Sequence, residues 1–502
     1  MSIFPNKIPN RFGRIMVAAI GLAGVLLFAL MFCASALYYA SACKRGVYTL
    51  SDVPWVASAV GVAWMLLWAI TERRKLNSFW TAFWVSLFVF VAHVCVIRLT
   101  HALHEQVMFS DFLRVQNCVE AKDVRFSHLP YYFYWCNFEL LVSILGKIFC
   151  RDMQVVQYLN ALACSLAVIP LYRLSERASN RGLALLAALL FGLSPSMLMY
   201  STILTSEFVG MALLFWAAWF FVEMLQAQDD WRRSLAMAVT SGILLAGCQL
   251  MKSVAILFVC ATGVLVLRMA LQPGKKRAVV SLLGCFLVML VVYKCVFASG
   301  QRAFSEIAGP GVELKENISI PRALAVGLNV DSGGAFDPKF CSKLYNMSEQ
   351  EVRAYFKEAV KRDRSKYPSL FVRKFSTLYS NEWWGFGCYR NSFKVKRAPA
   401  WMPRIVDSWY LLTVIISVFG AVGLLLCLFK RGMGRETWPG MLSLLILLAF
   451  TALEMLIEVQ GRYRSIVYPF YFMLIPYCRF FFGADNPLIA KIGQMFKRRR
   501  HA

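Results

Sequence analysis

The sequence predicts an all-α polytopic membrane protein with about twelve transmembrane helices. The chain is 59% hydrophobic and only 16% charged, whereas soluble domains average roughly 25% charged residues. Apolar runs long enough to cross ~30 Å of hydrocarbon recur from end to end, and they lack the ten-residue alternation typical of a membrane β-barrel. This composition excludes an ordinary soluble enzyme or binding domain.

The predicted spans follow one another along the whole chain. They lie near residues 15–40, 53–71, 78–99, 153–172, 182–200, 207–225, 234–250, 254–271, 278–298, 408–429, 438–458 and 463–482. The first run is too long for the core of a signal peptide, so we interpret it as a helix. The run 136–150 is short and carries Glu139 and Lys147, which favours a helix lying in the membrane interface. A crossing by this run is the alternative.

Lysine and arginine residues set the predicted topology. The formal net charge of +26 comes from basic residues concentrated in short loops between spans and in the C-terminal KRRR tail. This is the positive-inside pattern, and it places both termini in the cytoplasm. Each such charge is attracted to anionic headgroups by ~1 kcal/mol, so membrane lipid, and not nucleic acid, is the expected partner.

Five parts of the chain follow from these spans. They are an N-terminal cytoplasmic tail with a helix pair (1–77), a transmembrane core with its first outer loop at 100–152 (78–298), an extracytoplasmic and mostly helical insertion (299–407), C-terminal transmembrane helices (408–482) and a basic cytoplasmic tail (483–502). The insertion begins with glycine-bearing sequence typical of a loop. From Ser348 it reads as helix, since Ser348 and Glu351 have capping-box spacing. Residues 348–384 are expected to form helices that cap the outer rim of the membrane.

Polar residues from four distant segments fall on the same predicted outer face. Asp111 lies in the first outer loop, Glu207 follows the turn ILTSE, Lys252 separates two spans, and Glu458, Arg462 and Tyr463 lie in IEVQGRYRSIVYP. Ionisable residues at a membrane boundary indicate a functional site when several of them converge. We therefore predict a site on this face, close to the insertion.

Each of these residues also has a purely structural interpretation. Asp111 would cap a helix beginning at Phe112, and Glu207 would favour a helix N-terminus. Lys252 would reach up to the lipid headgroups. Glu458, Arg462 and Arg464 would form a salt-bridged helix end, worth ~0–1 kcal/mol at a surface.

Two further residues are open to both interpretations. His128 precedes Leu129-Pro130, where an ordinary loop residue is the simpler reading. Glu454 lies one helical turn before Glu458, inside a predicted span, and there a carboxylate needs a partner or a water-filled cavity.

The cysteines indicate neither a metal site nor a disulfide framework. Most of the fifteen lie inside apolar spans, and only Cys118, Cys136, Cys341 and Cys388 fall where a disulfide is worth considering. No metal or organic cofactor is predicted. A divalent cation held by Asp111 and Glu207 is a minor alternative.

Several short segments together resemble a known superfamily. The segments SDF and HLPYY of the first outer loop, LYRLSER, LSPSMLMYSTILTSE and EVQGRYRSIVYPF are similar to those of the GT-C integral-membrane glycosyltransferases. The resemblance covers roughly residues 78–225 and 440–475. It is greatest to the branch that uses polyprenyl-phosphate sugars, which includes protein O-mannosyltransferases and the lipid A aminoarabinose transferase.

The resemblance implies a GT-C-type helical bundle with interfacial helices and an extracytoplasmic cap. It assigns the general base to Asp111, a second acidic position to Glu207, and the late E-x-x-x-R-Y element to Glu458, Arg462 and Tyr463. Many members carry Asp at the second acidic position. The chain also departs from the pattern in its extra N-terminal helix pair and in Ser127-His128-Leu129, which stands where a basic residue is usual. His128, Lys252 or Arg462 is therefore expected to recognise phosphate.

The predicted function is transfer of a sugar, with inversion, from a polyprenyl-phosphate donor to an acceptor hydroxyl on the extracytoplasmic face. The acceptor is a glycan, a lipid or a protein of the cell envelope. Nucleotide sugars are made in the cytosol, so an outward-facing transferase needs a donor that crosses the membrane. A transporter or flippase for a lipid-linked or small polar solute is the main alternative, and a scaffold protein of the cell envelope is a third.

Overall fold

All regular secondary structure is helical in the part of the chain that the structure describes. This computed structural model describes residues 11–73, 77–121, 133–227, 230–270, 276–308, 319–393, 399 and 401–482. Within these ranges there are α-helices and short 3-10 segments but no strand. The predicted all-α polytopic class is confirmed. Ten helices in the same ranges are long and apolar enough to cross a membrane, in place of the twelve expected.

The first twelve helices form the N-terminal pair and the transmembrane core. They are α1 (Arg11–Lys44), α2 (Asp52–Arg73), α3 (Ser78–Leu103), α4 (Ser110–Glu120), α5 (Phe133–Ile148), α6 (Gln154–Ala178), α7 (Arg181–Gly192), α8 (Pro195–Tyr200), α9 (Glu207–Gln226), α10 (Trp231–Met251), α11 (Ala255–Ala270) and α12 (Lys276–Ala308).

The remaining helices form the insertion and the C-terminal spans. They are α13 (Ile320–Gly327), α14 (Pro338–Tyr345), α15 (Glu349–Arg362), α16 (Tyr367–Tyr379), α17 (Trp383–Ser392), α18 (Trp401–Arg431), α19 (Trp438–Leu456), α20 (Tyr468–Phe472) and α21 (Cys478–Phe482), with 3-10 segments at Arg364–Lys366, Gly461–Val467 and Ile475–Tyr477.

Two of the predicted spans are shorter than a membrane-crossing helix. The run 182–200 is divided into α7 and α8, because Pro195 occupies the first turn of α8 and has no backbone N–H to continue α7. The run 254–271 is α11, with 16 residues. At 1.5 Å per residue it reaches only about 24 Å. Helix α5 also has 16 residues, and the expectation that it does not cross the membrane stays a prediction.

The last predicted span is a chain of short helical pieces instead of one helix. Residues 461–482 pass from a 3-10 segment through α20 and a second 3-10 segment to α21. Pro469 and Pro476 each lie in the first turn of a new piece. Irregular backbone at membrane depth is tolerated where protein surrounds it, and 83% of this span is buried inside the molecule.

The buried share of each apolar helix distinguishes central helices from helices that face lipid. Helix α9 is 72% buried over its apolar window, whereas α2 is only 11% buried. Helix α2 accordingly exposes Trp55 and Leu66. Helix α2 therefore lies at the edge of the bundle, and the C-terminal segment 461–482 lies at its centre.

The insertion is more helical at its start than predicted. The expectation of loop before residue 348 is wrong in part, since α13 and α14 lie there, and α12 extends to Ala308 beyond the predicted end at 298. The Ser348–Glu351 capping box is present at the start of α15. The fifteen cysteines form no disulfide. His128 and the basic tail 483–502 lie outside the described residues.

Candidate active site

Asp111 lies in the first turn of α4 and is not the cap of that helix. The N-cap residue is Phe109, with no side-chain cap bond. Ser110 has φ +51°, in the left-handed region that non-glycine residues seldom adopt. Backbone of this kind costs of order 1–3 kcal/mol and clusters at functional sites. The Asp111 carboxylate is 37% exposed and faces Arg462 at 3.4 Å and Arg114 at 3.8 Å, so the capping interpretation does not hold.

Arg462 connects helix α4 to the segment that follows α19. Its Nη2 donates to Asp111, and its Nε donates to Oε1 of Gln460 at 2.8 Å. The guanidinium also lies over the rings of Phe112 and Tyr463, with its central carbon 5.5 and 5.7 Å from the two ring centres. These contacts on several sides hold the charged group in one place.

Glu207 and Lys252 form an ion pair beside Arg462. Nζ of Lys252 lies 2.9 Å from Oε1 of Glu207, and the two side chains are 20% and 5% exposed. The ammonium also lies 5.6 Å from the centre of the Tyr463 ring. Glu207 is within electrostatic range of Arg462 as well. The Glu207 carboxylate at the start of α9 thus lies near two cations. They are Lys252 at the end of α10 and Arg462 in the segment after α19.

Glu458 is held by two residues of its own segment. It accepts hydrogen bonds from the Tyr463 hydroxyl at 3.0 Å and from the Gln460 amide. Because Gln460 also accepts from Arg462, its amide joins the carboxylate to the guanidinium. Gln460 was missed in the sequence, although its place between Glu458 and Arg462 in one polar segment was a usable signal.

Buried amides hold the backbone on both sides of the site. The Thr202 carbonyl, five residues before Glu207, accepts from Gln157 at 2.6 Å and from Gln106 at 3.1 Å. Gln157 also donates to Oε1 of Gln106 at 3.0 Å. The loop that leads to Asp111 and the turn that leads to Glu207 are thereby joined through α6. Gln157 is fully buried. A glutamine within an apolar run is visible in the sequence and was a usable signal.

Lys374 of the insertion holds the segment that carries Glu458. Its ammonium is fully buried and donates to the carbonyls of Gly327 at 2.8 Å, Met455 at 2.9 Å and Ile457 at 2.5 Å. Burial lowers the pKa of Lys374 to about 8. Since two of these carbonyls lie at the C-terminal end of α19, the positive charge also complements the helix dipole.

Arg464 does not take part in a salt bridge with Glu458, contrary to one interpretation of the sequence. It is fully buried, lies 3.2 Å from Glu382 and donates to the Tyr410 hydroxyl at 2.7 Å. Arg464 therefore stabilises the core beneath the site. Glu454 is 4% exposed, and its Oε2 has no hydrogen-bond partner among the described residues.

The described structure thus brings together six of the residues predicted from the sequence: Asp111, Glu207, Lys252, Glu458, Arg462 and Tyr463. His128 lies outside the described residues. No group of three or more His, Cys, Asp or Glu side chains in the described ranges is arranged to hold a metal ion. The arrangement can accept a proton at Asp111 and place two cations against an anionic leaving group.

Part of the transmembrane core is similar to a known protein family. The family model "dolichyl-phosphate-mannose-protein mannosyltransferase" matches residues 137–308. No curated protein matches the chain.

Among solved structures, the archaeal oligosaccharyltransferase AglB from Archaeoglobus fulgidus, in complex with an inhibitory peptide and a dolichol-phosphate, aligns with 77% of this chain at 14% identity and a TM-score of 0.38. This chain spans half the length of that protein. ArnT from Cupriavidus metallidurans, bound to undecaprenyl phosphate, aligns with 78% of this chain and 77% of its own at 13% identity and a TM-score of 0.34.

The family-model match falls on the transmembrane core that shows the predicted resemblance. It supports the likeness of this part of the chain to the GT-C integral-membrane glycosyltransferases.

Proposed function

We propose that this protein transfers a sugar from a polyprenyl-phosphate donor to an acceptor hydroxyl, with inversion at the anomeric carbon. The observation that carries the proposal is the contact between the Asp111 carboxylate and Arg462, next to the Glu207–Lys252 pair. A carboxylate that can accept a proton thus lies beside two cations that can hold a phosphate. The likeness of residues 137–308 to the dolichyl-phosphate-mannose-protein mannosyltransferase family supports this choice of chemistry.

The reaction is a single displacement. Asp111 takes the proton from the acceptor hydroxyl as that oxygen attacks the anomeric carbon, forming the new glycosidic bond. The bond between the anomeric carbon and the phosphate oxygen breaks, and its electron pair stays on the phosphate. Arg462 and Arg114 lie 3.4 and 3.8 Å from the Asp111 carboxylate and hold it in place for this role.

The leaving polyprenyl phosphate gains negative charge as the bond breaks. Arg462 binds it through guanidinium N–H groups that neither Asp111 nor Gln460 occupies, and Lys252 adds a second charge. Removal of one preorganised group of this kind typically costs ~3 kcal/mol in the activation barrier. Glu207 and the Glu458–Tyr463 pair orient hydroxyl groups of the two substrates.

The donor requirement follows from the proposed topology. With both termini in the cytoplasm, the site opens to the extracytoplasmic side, where nucleotide sugars are absent. The polyprenyl chain lies between transmembrane helices, with its phosphate at the membrane boundary beside Arg462. The acceptor is a glycan, lipid or protein of the cell envelope. The proposed reaction needs no metal, because Arg462 and Lys252 supply the positive charge.

The test is transfer by purified protein in nanodiscs. A panel of radiolabelled polyprenyl-phosphate sugars is offered with envelope extract as the acceptor, and transferred sugar and released polyprenyl phosphate are both counted. Asp111→Asn is compared with Asp331→Asn, which makes the same change at an exposed position of the insertion.

We expect transfer by the wild type and by Asp331→Asn, and at least a thousandfold slower transfer by a folded Asp111→Asn protein. Transfer that survives in Asp111→Asn removes Asp111 from the role of base. Movement of the donor across the membrane without turnover of any sugar replaces the transferase by a transporter.

A further inference from the structure

A second polar cavity lies at the end of the bundle remote from Asp111. Helices α9, α10 and α19 each reach the candidate active site with one end, at Glu207, at Lys252 and near Glu454. Their other ends meet at this cavity. Helices of about 20 residues span ~30 Å, so the cavity lies at the opposite boundary of the membrane.

The cavity has a volume of about 350 Å³. Its lining residues are mostly charged: Arg177, Glu223, Gln226, Ala227, Arg233, Arg435 and Glu436. Known small-molecule sites begin at roughly this volume. The space is therefore large enough for a phosphate group together with part of the molecule that carries it.

Glu223, one of the two lining carboxylates, is already neutralised. It forms ion pairs with Arg177 and with Arg233, the latter at 3.6 Å, and accepts from the Trp219 indole at 2.9 Å. Arg177 also donates to Oε1 of Gln226 at 3.1 Å. A lone carboxylate would repel an anion, but this one is matched by two guanidinium groups.

Glu436 is neutralised in the same way, by Arg431 at 3.2 Å and by Arg479 at 3.1 Å. The lining itself carries three arginines and two glutamates, a net charge of +1. Arg431 and Arg479 stand behind Glu436, outside the lining, and add positive charge there. The positive excess favours an anion in the cavity.

One arginine of the lining has no carboxylate partner among the described residues. Arg435 is exposed at the cavity and has no carboxylate within salt-bridge distance there. It can therefore bind an anion without breaking an existing ion pair.

We infer that this cavity binds a phosphate group. Guanidinium groups bind phosphate oxygens through paired N–H donors, which makes arginine the usual residue for such sites. The cavity lies where lipid headgroups lie, so the phosphate belongs either to an anionic phospholipid or to a soluble phosphate compound. Binding here does not depend on the proposed transferase reaction, and the test needs no sugar donor.

The test measures the thermal stability of the full-length protein in nanodiscs in two arms. One arm replaces phosphatidylcholine stepwise by phosphatidylglycerol, and the other adds inorganic phosphate to phosphatidylcholine discs at constant ionic strength. Arg435→Gln removes the donor that has no carboxylate partner, so it leaves both ion-paired glutamates intact. Arg232→Gln is the matched control, since it removes the same charge next to Arg233 but outside the cavity lining.

We expect one probe to raise the melting temperature, with an apparent affinity that falls at least fivefold in Arg435→Gln and less than twofold in Arg232→Gln. A response confined to phosphatidylglycerol identifies a lipid headgroup, and a response to inorganic phosphate identifies a soluble ligand. The inference is overturned if neither probe stabilises the wild type. It is also overturned if the two variants weaken binding equally, because general positive charge then explains the effect.

Discussion

Nη2 of Arg462 lies 3.4 Å from Oδ2 of Asp111, although 351 positions separate the two residues in the chain. The contact joins helix α4 to the segment that follows α19. The same guanidinium also binds Gln460, which holds it in one position. In the proposed reaction, this contact places the general base beside the group that stabilises the leaving phosphate.

Replacing Arg462 by Gln removes the charge that faces the leaving phosphate. We expect kcat for sugar transfer to fall roughly 10²- to 10³-fold, the usual effect of losing a preorganised group that stabilises the transition state. Arg462→Lys retains the charge but not the two-pronged hydrogen bonding, so it should recover part of this loss. Single-turnover transfer rates measure the effect, and an unchanged kcat in Arg462→Gln would contradict the assignment.

The Glu207–Lys252 pair should behave as one unit. Glu207→Gln and Lys252→Met each leave one buried charge without its partner, which typically destabilises a protein by about 3–5 kcal/mol. The double substitution leaves neither charge, so its cost should be clearly less than the sum of the two. Thermal unfolding of the three variants in one detergent measures this coupling, and strictly additive losses would show that the ion pair is unimportant.

Lys374 should make stability depend on pH in the alkaline range. Burial lowers its pKa from an ordinary 10.5 to about 8 in the folded protein. Between these two values the unfolded chain holds more protons on this residue than the folded chain does. Stability contributed by this group therefore rises as the pH increases from about 8 to about 10.5.

The comparison that isolates this effect is the wild type against Lys374→Met. The melting temperature of the wild type, relative to that of Lys374→Met, should rise as the pH is raised from 7.5 to 10. A difference that stays constant over this range would mean that Lys374 titrates alike in both states.

Gly327 allows the insertion to approach the segment that carries Glu458. A Cβ atom on Gly327 would lie 2.2 Å from the carbonyl carbon of Ile457 and 2.3 Å from the carbonyl oxygen of Leu456. Gly327→Ala should therefore displace residues 456–458 and lower both stability and transfer activity. Overpacking of this kind typically costs about 1–3 kcal/mol.

Gly61→Ala is the matched control. A Cβ atom at Gly61 on α2 meets nothing within 4 Å, and alanine in a helix interior is more favourable than glycine by roughly 0.5–1 kcal/mol. This variant should be as stable as the wild type or more so, with unchanged transfer. If Gly327→Ala behaves like Gly61→Ala, the insertion does not position the segment.

The fold class and the residues worth examining could be predicted from the amino-acid sequence alone. Hydropathy is a local property, so spans such as α3, α6 and α9 could be predicted from apolar runs alone. A charged residue at membrane depth is costly unless it is paired or hydrated, so charges next to apolar runs indicated functional sites and singled out Asp111, Glu207 and Arg462. Pro195 and Pro469 are also visible in the sequence. Each begins a new short helix, so the continuous spans predicted there are broken.

Which of these residues lie in contact depends on the tertiary structure. Arg462 and Arg464 are alike in sequence, yet one faces Asp111 and the other is buried against Glu382. Lys374 and Gln157 gain their roles from carbonyl groups far away in the chain. Such pairings depend on how helices pack across hundreds of positions. They cannot be predicted from neighbouring residues in the sequence. Hydrogen bonds and ion pairs form only between groups a few ångströms apart in space, and those groups are distant in the chain.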